Sequence, residues 1–167
     1  MPIIGHGDIA SVLKDKEDIT YFASGVSNSS ETRDDEFKRE FELLMLQDIS
    51  KRLVYLSSLC VFYLDTPYST HKRCMESIVK RAFPRYTIIR LGNITWGDNP
   101  HTIINFLRNK IKNNELLEIQ DVYRYVVNKE EFLHWINLIP NWNCEMNIPG
   151  ELLTVNEIVR RIKLCQI

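Results

Sequence analysis

Short runs of β-branched and aromatic residues alternate along this chain with segments whose apolar residues recur at helical spacing, and this alternation restricts the available folds more than any single motif does. Residues 2–4, 19–23, 52–56 and 86–91 read as strands. The intervals between them read as a short helix over 9–13, a helix across about 34–50 carrying Phe37, Phe41, Leu44 and Met45, and a helix across about 68–83 that Pro84 stops. Strands that alternate with helices imply a parallel sheet covered on both faces, so the expected class is α/β, a three-layer αβα fold with a mostly parallel sheet. In such sheets the ligand lies beyond the carboxyl ends of the strands. Those ends are Gly5-His6-Gly7-Asp8, Ala23-Ser24-Gly25, Ser57-Ser58 and Leu91-Gly92-Asn93, which therefore meet on one edge.

The remainder is less regular. A helix is expected over 101–112, an extended segment over 123–127, a helix over 129–139 and a short strand over 145–148. Thr154 with Glu157 reads as a capping box that opens a final helix. With 167 residues, 44% of them hydrophobic, and no repeat or linker, the chain is expected to form one domain over 1–167.

Charge excludes several classes of function. The net charge is −1 with both signs interspersed, which argues against a nucleic-acid footprint or a polybasic membrane anchor. The basic clusters Lys80-Arg81 with Arg85 and Arg160-Arg161 with Lys163 read as solvated helix faces. Cys60, Cys74, Cys144 and Cys165 are widely spaced, and His6, His71, His101 and His134 lack metal-ligand spacing, so no metal is expected and the thiols suit a reducing compartment. With no signal-like N-terminus and no apolar run approaching about 18 residues, the expected location is cytoplasmic.

Chemistry concentrates in Tyr68-Ser69-Thr70-His71-Lys72, ten residues after Ser58. Residues four apart on a helix share a face, with Cβ atoms roughly 5–6 Å apart. An ammonium at about 4 Å is worth on the order of 4 kcal/mol to a phenolate at effective dielectric 20. That equals roughly three pKa units and would bring a phenol from about 10 toward neutrality. Such a phenol exchanges protons with an alcohol or carbonyl oxygen while a serine hydroxyl holds that oxygen. Within the pentapeptide, His71 reads as a solvent-facing spacer.

The order of these motifs resembles the extended short-chain dehydrogenase/reductase family, the nucleotide-sugar epimerases, dehydratases and reductases, over nearly the whole chain. Gly5-His6-Gly7-Asp8-Ile9-Ala10 resembles a degenerate form of its glycine-rich dinucleotide turn, and Phe22-Ala23-Ser24-Gly25 its cofactor-lining segment. Val54-Tyr55-Leu56-Ser57-Ser58-Leu59-Cys60-Val61 is similar to its active-site strand, and Tyr68 with Lys72 to its Tyr-x-x-x-Lys pair. Arg90-Leu91-Gly92-Asn93 is similar to the segment entering its substrate loop, and residues 147–158 to its late strand and closing helix.

The resemblance implies a Rossmann-like fold, NAD or NADP as cofactor and a nucleotide-linked sugar as substrate. Ser58, Tyr68 and Lys72 would be catalytic. Gly5, Gly7, Asp8, Ile9, Ala23, Ser24, Gly25, Ser57, Leu91 and Gly92, with Tyr68 and Lys72, would bind the cofactor. Substrate contacts would come from Ser58, Asn93, Trp96 and Asn99, within a trimmed substrate-binding portion at about 93–150. In the family the helices matching 34–50 and 68–83 commonly pair into a homodimer, and Phe37, Phe41, Met45, Met75 and Val79 could supply that surface or equally cover the sheet within one subunit.

The chain departs from the pattern in two places. After the glycine turn the next strand already carries Ala23-Ser24-Gly25, so segments matching the family's second and third strands are not found, nor is the residue that chooses NAD over NADP. Leu59 and Cys60 stand where a dehydratase has Asp and Glu, which makes dehydration the least favoured of reduction, epimerisation and dehydration. Two classes therefore stand: an NAD(P)-dependent enzyme on a nucleotide-linked sugar, and a shortened relative that binds or assembles without catalysis. A serine hydrolase on Ser58 lacks the surrounding nucleophile elbow.

Overall fold

The computed structural model describes residues 2–167. Strands β1 (Ile3–Ile4), β2 (Ile19–Phe22), β3 (Arg52–Ser58), β4 (Tyr86–Leu91) and β7 (Cys144–Ile148) form a five-stranded, wholly parallel sheet in the order β1-β2-β3-β4-β7. The three central strands are the ones whose apolar runs are continuous, as burial on both faces demands. A second, three-stranded sheet joins β5 (Asn93–Ile94), β6 (Tyr123–Val127) and β8 (Glu151–Thr154) in the order β5-β6-β8, with β6 and β8 antiparallel.

Helices cover both faces of the large sheet. On one face α1 (Asp34–Met45) and α2 (Pro67–Ala82) enclose Phe22, Leu44, Leu53, Tyr55, Met75, Val79 and Ile88. On the other, the 3₁₀ turn Ala10–Val12 and α4 (Lys129–Asn137) pack over Tyr21, Val54, Leu56, Ile89 and Ile148. A third cluster seats α3 (Ile103–Lys112) and α5 (Val155–Lys163) against the small sheet. The layers are those expected from the alternation, αβα with a mostly parallel sheet.

Local signals explain most boundaries. Thr66 caps α2 with its hydroxyl on the Ser69 amide, Pro67 occupies the first turn where no amide is required, and the helix ends before Phe83-Pro84. The box at Thr154 and Glu157 opens α5 as expected. Three expectations are corrected. The first helix after β1 is only one 3₁₀ turn, and α1 stops at Met45 rather than 50. Strands β5 and β8 lie in stretches of two and four residues, too short to show a period.

The apolar stripe of α1 also turns out rotated. Glu40 and Leu44 face the core with Phe37 beside them, while Phe41 and Met45 remain 40% and 48% exposed. On α2, Met75 and Val79 lie in the chain's own core, so they are not available to a subunit interface.

Candidate active site

A cleft of about 850 Å³ opens beyond the carboxyl ends of β1 to β4. The turn after β1 contributes Gly7, Asp8 and Ile9, the end of β2 contributes Ala23, Ser24 and Gly25, and β3 contributes Ser57 and Ser58. Tyr68 and Lys72 reach it from α2, and Leu91, Gly92, Asn93 and Asn99 from the end of β4 and beyond. The parallel register brings these segments together, with Tyr21 opposite Val54 and Ser58 opposite Leu91.

Two expected residues lie elsewhere. Gly5, at φ +128°, sits where a Cβ would meet the Ala23 carbonyl oxygen at 2.5 Å, so its lack of a side chain serves the β1–β2 crossing and not a ligand. Trp96 donates from Nε1 to the Asp8 carbonyl at 3.0 Å and stacks on Phe132, a packing role beneath the wall. Asn93 spends its side-chain amide on the Tyr125 carbonyl.

Asp8 does not aim its charge into the pyrophosphate position of the turn. Its carboxylate accepts the amides of Asp98 at 3.1 Å and Asn99 at 3.0 Å, which fastens the glycine turn to the loop before α3. Ser57 is likewise committed, donating to Glu76 Oε1 at 2.7 Å, where Glu76 also pairs with Arg90. Ser58 accepts the Cys60 amide and caps the turn Leu59–Phe62.

The Tyr68–Lys72 pair departs most from expectation. The ammonium is 2% exposed and lies 2.9 and 3.2 Å from the two carboxylate oxygens of Glu40, whose side chain is wholly buried. Glu40 also accepts the Tyr55 hydroxyl at 2.5 Å and the Val26 amide at 2.7 Å. His71 Nε2 lies 3.0 Å from the same carboxylate, with its ring stacked on Phe37, so it is part of this cluster and not a solvent-facing spacer.

Burial disfavours the charged form of Glu40, but Lys72 and hydrogen bonds from His71, Tyr55 and Val26 outweigh it and hold the carboxyl well below the usual range. The lysine charge is thus spent locally. Lys72 Nζ remains 5.7 Å from the Tyr68 ring centre. The Tyr68 phenol is pushed well above its ordinary value, by burial first and then by Cys60 and the Glu40 charge, against a smaller opposing effect of Ser58. The expected drop toward neutrality is therefore reversed. Glu40 was legible only as one acid at i+3 from Phe37 and i−4 from Leu44, a carboxylate on an apolar stripe. Tyr55, inside the apolar run Leu53–Leu56 of β3, gave no signal.

A dinucleotide can be tested against these walls. Gly25 packs directly on the buried ion pair, since a Cβ there would meet Lys72 Nζ at 2.5 Å and Glu40 Oε1 at 2.9 Å. Tyr68 and Ser58 line the same cleft and offer hydroxyls to a ligand there, while Lys72 beside them is held by Glu40 and Tyr55. Arg39, Ser27, Asn28, Ser29 and Ser30 also line the cleft, with Arg39 donating to the Ser24 carbonyl.

No protein-family model and no curated protein matches the sequence. Solved structures do. UDP-glucose 4-epimerase of Thermotoga maritima is similar at TM-score 0.69 and 15% identity, over 87% of this chain and 60% of that one. A UDP-galactose 4-epimerase gives 0.66 and 16%, over 90% and 63%. The Bordetella bronchiseptica enzyme WbmG, in complex with NAD and UDP, gives 0.65 and 13%, over 87% and 55%. The chain thus spans little more than half the length of these structures. At such identities the likeness concerns the fold, which is Rossmann-like. Among the described residues no helix is long and apolar enough to cross a membrane.

Proposed function

We propose that this chain is an NAD(P)-dependent reductase-like enzyme for a nucleotide-linked sugar. The observation that supports the reading is the convergence of Ser58, Tyr68 and Lys72 on one cleft at the sheet edge, in a fold shared with UDP-sugar epimerases and with proteins solved with NAD. The dinucleotide would be held by the turn at Gly7 to Ile9 and the segment Ala23 to Gly25, with Lys72 beneath them held by Glu40 and Tyr55. When bound in reduced form it supplies a hydride. The chain's own part is the proton: Tyr68 donates its O–H proton to the sugar carbonyl oxygen, the alcohol forms, and the phenolate left behind regains a proton from solvent. Ser58 holds the same oxygen.

Tyr68 is buried and the neighbouring Lys72 charge is held by Glu40, an arrangement that suits a neutral phenol. A neutral tyrosine is a competent donor, whereas epimerisation begins with the phenolate removing a hydroxyl proton. Dehydration is disfavoured further, since Cys60 beside Ser58 is buried with its thiol pushed up and is a poor acid–base partner. Arg39 and Arg124 line the cleft and suit a diphosphate.

Thermal shift with NADH and NADPH tests the reading. A cofactor at 100 times its dissociation constant should stabilise the fold by about 2.7 kcal/mol. Tyr68→Phe should keep that shift and lose reduction by a factor on the order of 10² to 10⁴. No shift with either cofactor at millimolar concentration would defeat the proposal.

A further inference from the structure

Glu40, fully buried, is among the most enclosed charges in the molecule. Its carboxylate sits between α1, β3, α2 and the loop after β2, and four groups converge on it: Lys72 Nζ, Tyr55 Oη, His71 Nε2 and the Val26 amide. Lys72 Nζ also approaches Tyr55 Oη at 3.3 Å, so its donors go to Glu40 and Tyr55 while it stays 5.7 Å from the Tyr68 ring centre. Gly25 closes the cluster from above, where any side chain would strike both partners of the ion pair.

We infer that Glu40 is a positioning residue of this site: by binding the Lys72 ammonium it withholds that charge from the Tyr68 phenol and so fixes the phenol as a proton donor. The inference deepens the reductase reading and rests on it for its consequence in turnover, but the electrostatic arrangement exists in the protein without any ligand. The groups facing the Lys72–Tyr68 pair are Glu40 from α1, Tyr55 from β3, His71 and Glu76 from α2, and Cys60 and Tyr63 from the turn after β3. Of these, Glu40 is the ion-pair partner of Lys72. Neutralising it both frees the cation and removes a negative charge near the phenol, and both changes favour the phenolate.

The experiment uses the full chain labelled with ¹³Cζ-tyrosine and followed by NMR from pH 6 to 11, with Tyr68→Phe to assign the resonance. In the unaltered protein the Tyr68 signal should remain that of a neutral phenol past pH 10. In Glu40→Gln, which keeps the shape and most hydrogen bonds, its ionisation should move down by about one to three pH units, the usual effect of an opposite charge at 4–6 Å. An unchanged Tyr68 titration in a folded Glu40→Gln would overturn the inference and leave Glu40 a purely structural anchor. Should that variant not fold, the unaltered protein still decides: a Tyr68 phenol that ionises near neutrality, with Glu40 in place, overturns it equally. A dinucleotide that fails to bind would defeat the reductase reading and leave both titrations standing.

Discussion

At the residue scale, Tyr21 shows how far the core tolerates a polar atom. It lies fully buried in β2 between Leu13 and Val54, and among the described residues its hydroxyl finds no hydrogen-bond partner. Burial pushes its phenol up. A buried hydroxyl without a partner costs about 1–3 kcal/mol. Tyr21→Phe keeps the ring and removes that atom, so urea denaturation is expected to show a stability gain on the order of 1 kcal/mol. A loss of similar size would mean that the hydroxyl has a partner, such as an ordered water. The contrast with Tyr55 is instructive, since the neighbouring strand carries a phenol in the same depth of protein but donates it to Glu40.

At the scale of elements, the loop after β2 behaves as a lid on the buried ion pair. It holds Val26 N–H on Glu40 and lays Gly25 over Lys72, with Arg39 of α1 bonded back to the Ser24 carbonyl. Gly25→Ala inserts a methyl group against two pinned side chains, and overpacking of this kind costs typically about 1–3 kcal/mol. Chemical denaturation should show that loss, and the Lys72–Glu40 contact should loosen with it. Wild-type stability in this variant would show that the loop shifts freely and does not cap the pair. Alternation of strand and helix was legible at this scale, because β2, β3 and β4 are buried on both faces and α2 carries unmistakable start and stop residues. The rotation of α1 was not legible, since Phe41 and Met45 share an apolar stripe with Phe37 and Leu44 in sequence while packing buries Glu40 and Leu44 and leaves Phe41 and Met45 exposed.

At the scale of the whole molecule, Glu40 ties α1, α2, β3 and the β2 loop to one charge, so its protonation is felt globally. Its folded pKa lies below the unfolded value of about 4.3. The stability it contributes is therefore complete above that value and is lost as pH falls through the folded pKa. Melting temperature is expected to hold from pH 7 to 5 and to drop steeply below about 4. Glu40→Gln should melt lower at pH 7, because it leaves a buried lysine unpaired at a cost of about 3–5 kcal/mol, and should show a shallower acid slope. Parallel acid slopes for the two proteins would remove Glu40 from the account. Sequence alone determined strands β1 to β4, the helices α1 and α2 between them, the parallel sheet and the edge to which Ser58, Tyr68 and Lys72 belong, because those follow from local period, capping and the rule that ligand sites form at strand ends. Only the tertiary structure decided the charge state of that edge. A phenol's acidity depends on every charge within a few ångströms, and Glu40, thirty-two residues before Lys72, comes within reach of it only when α1 packs against α2.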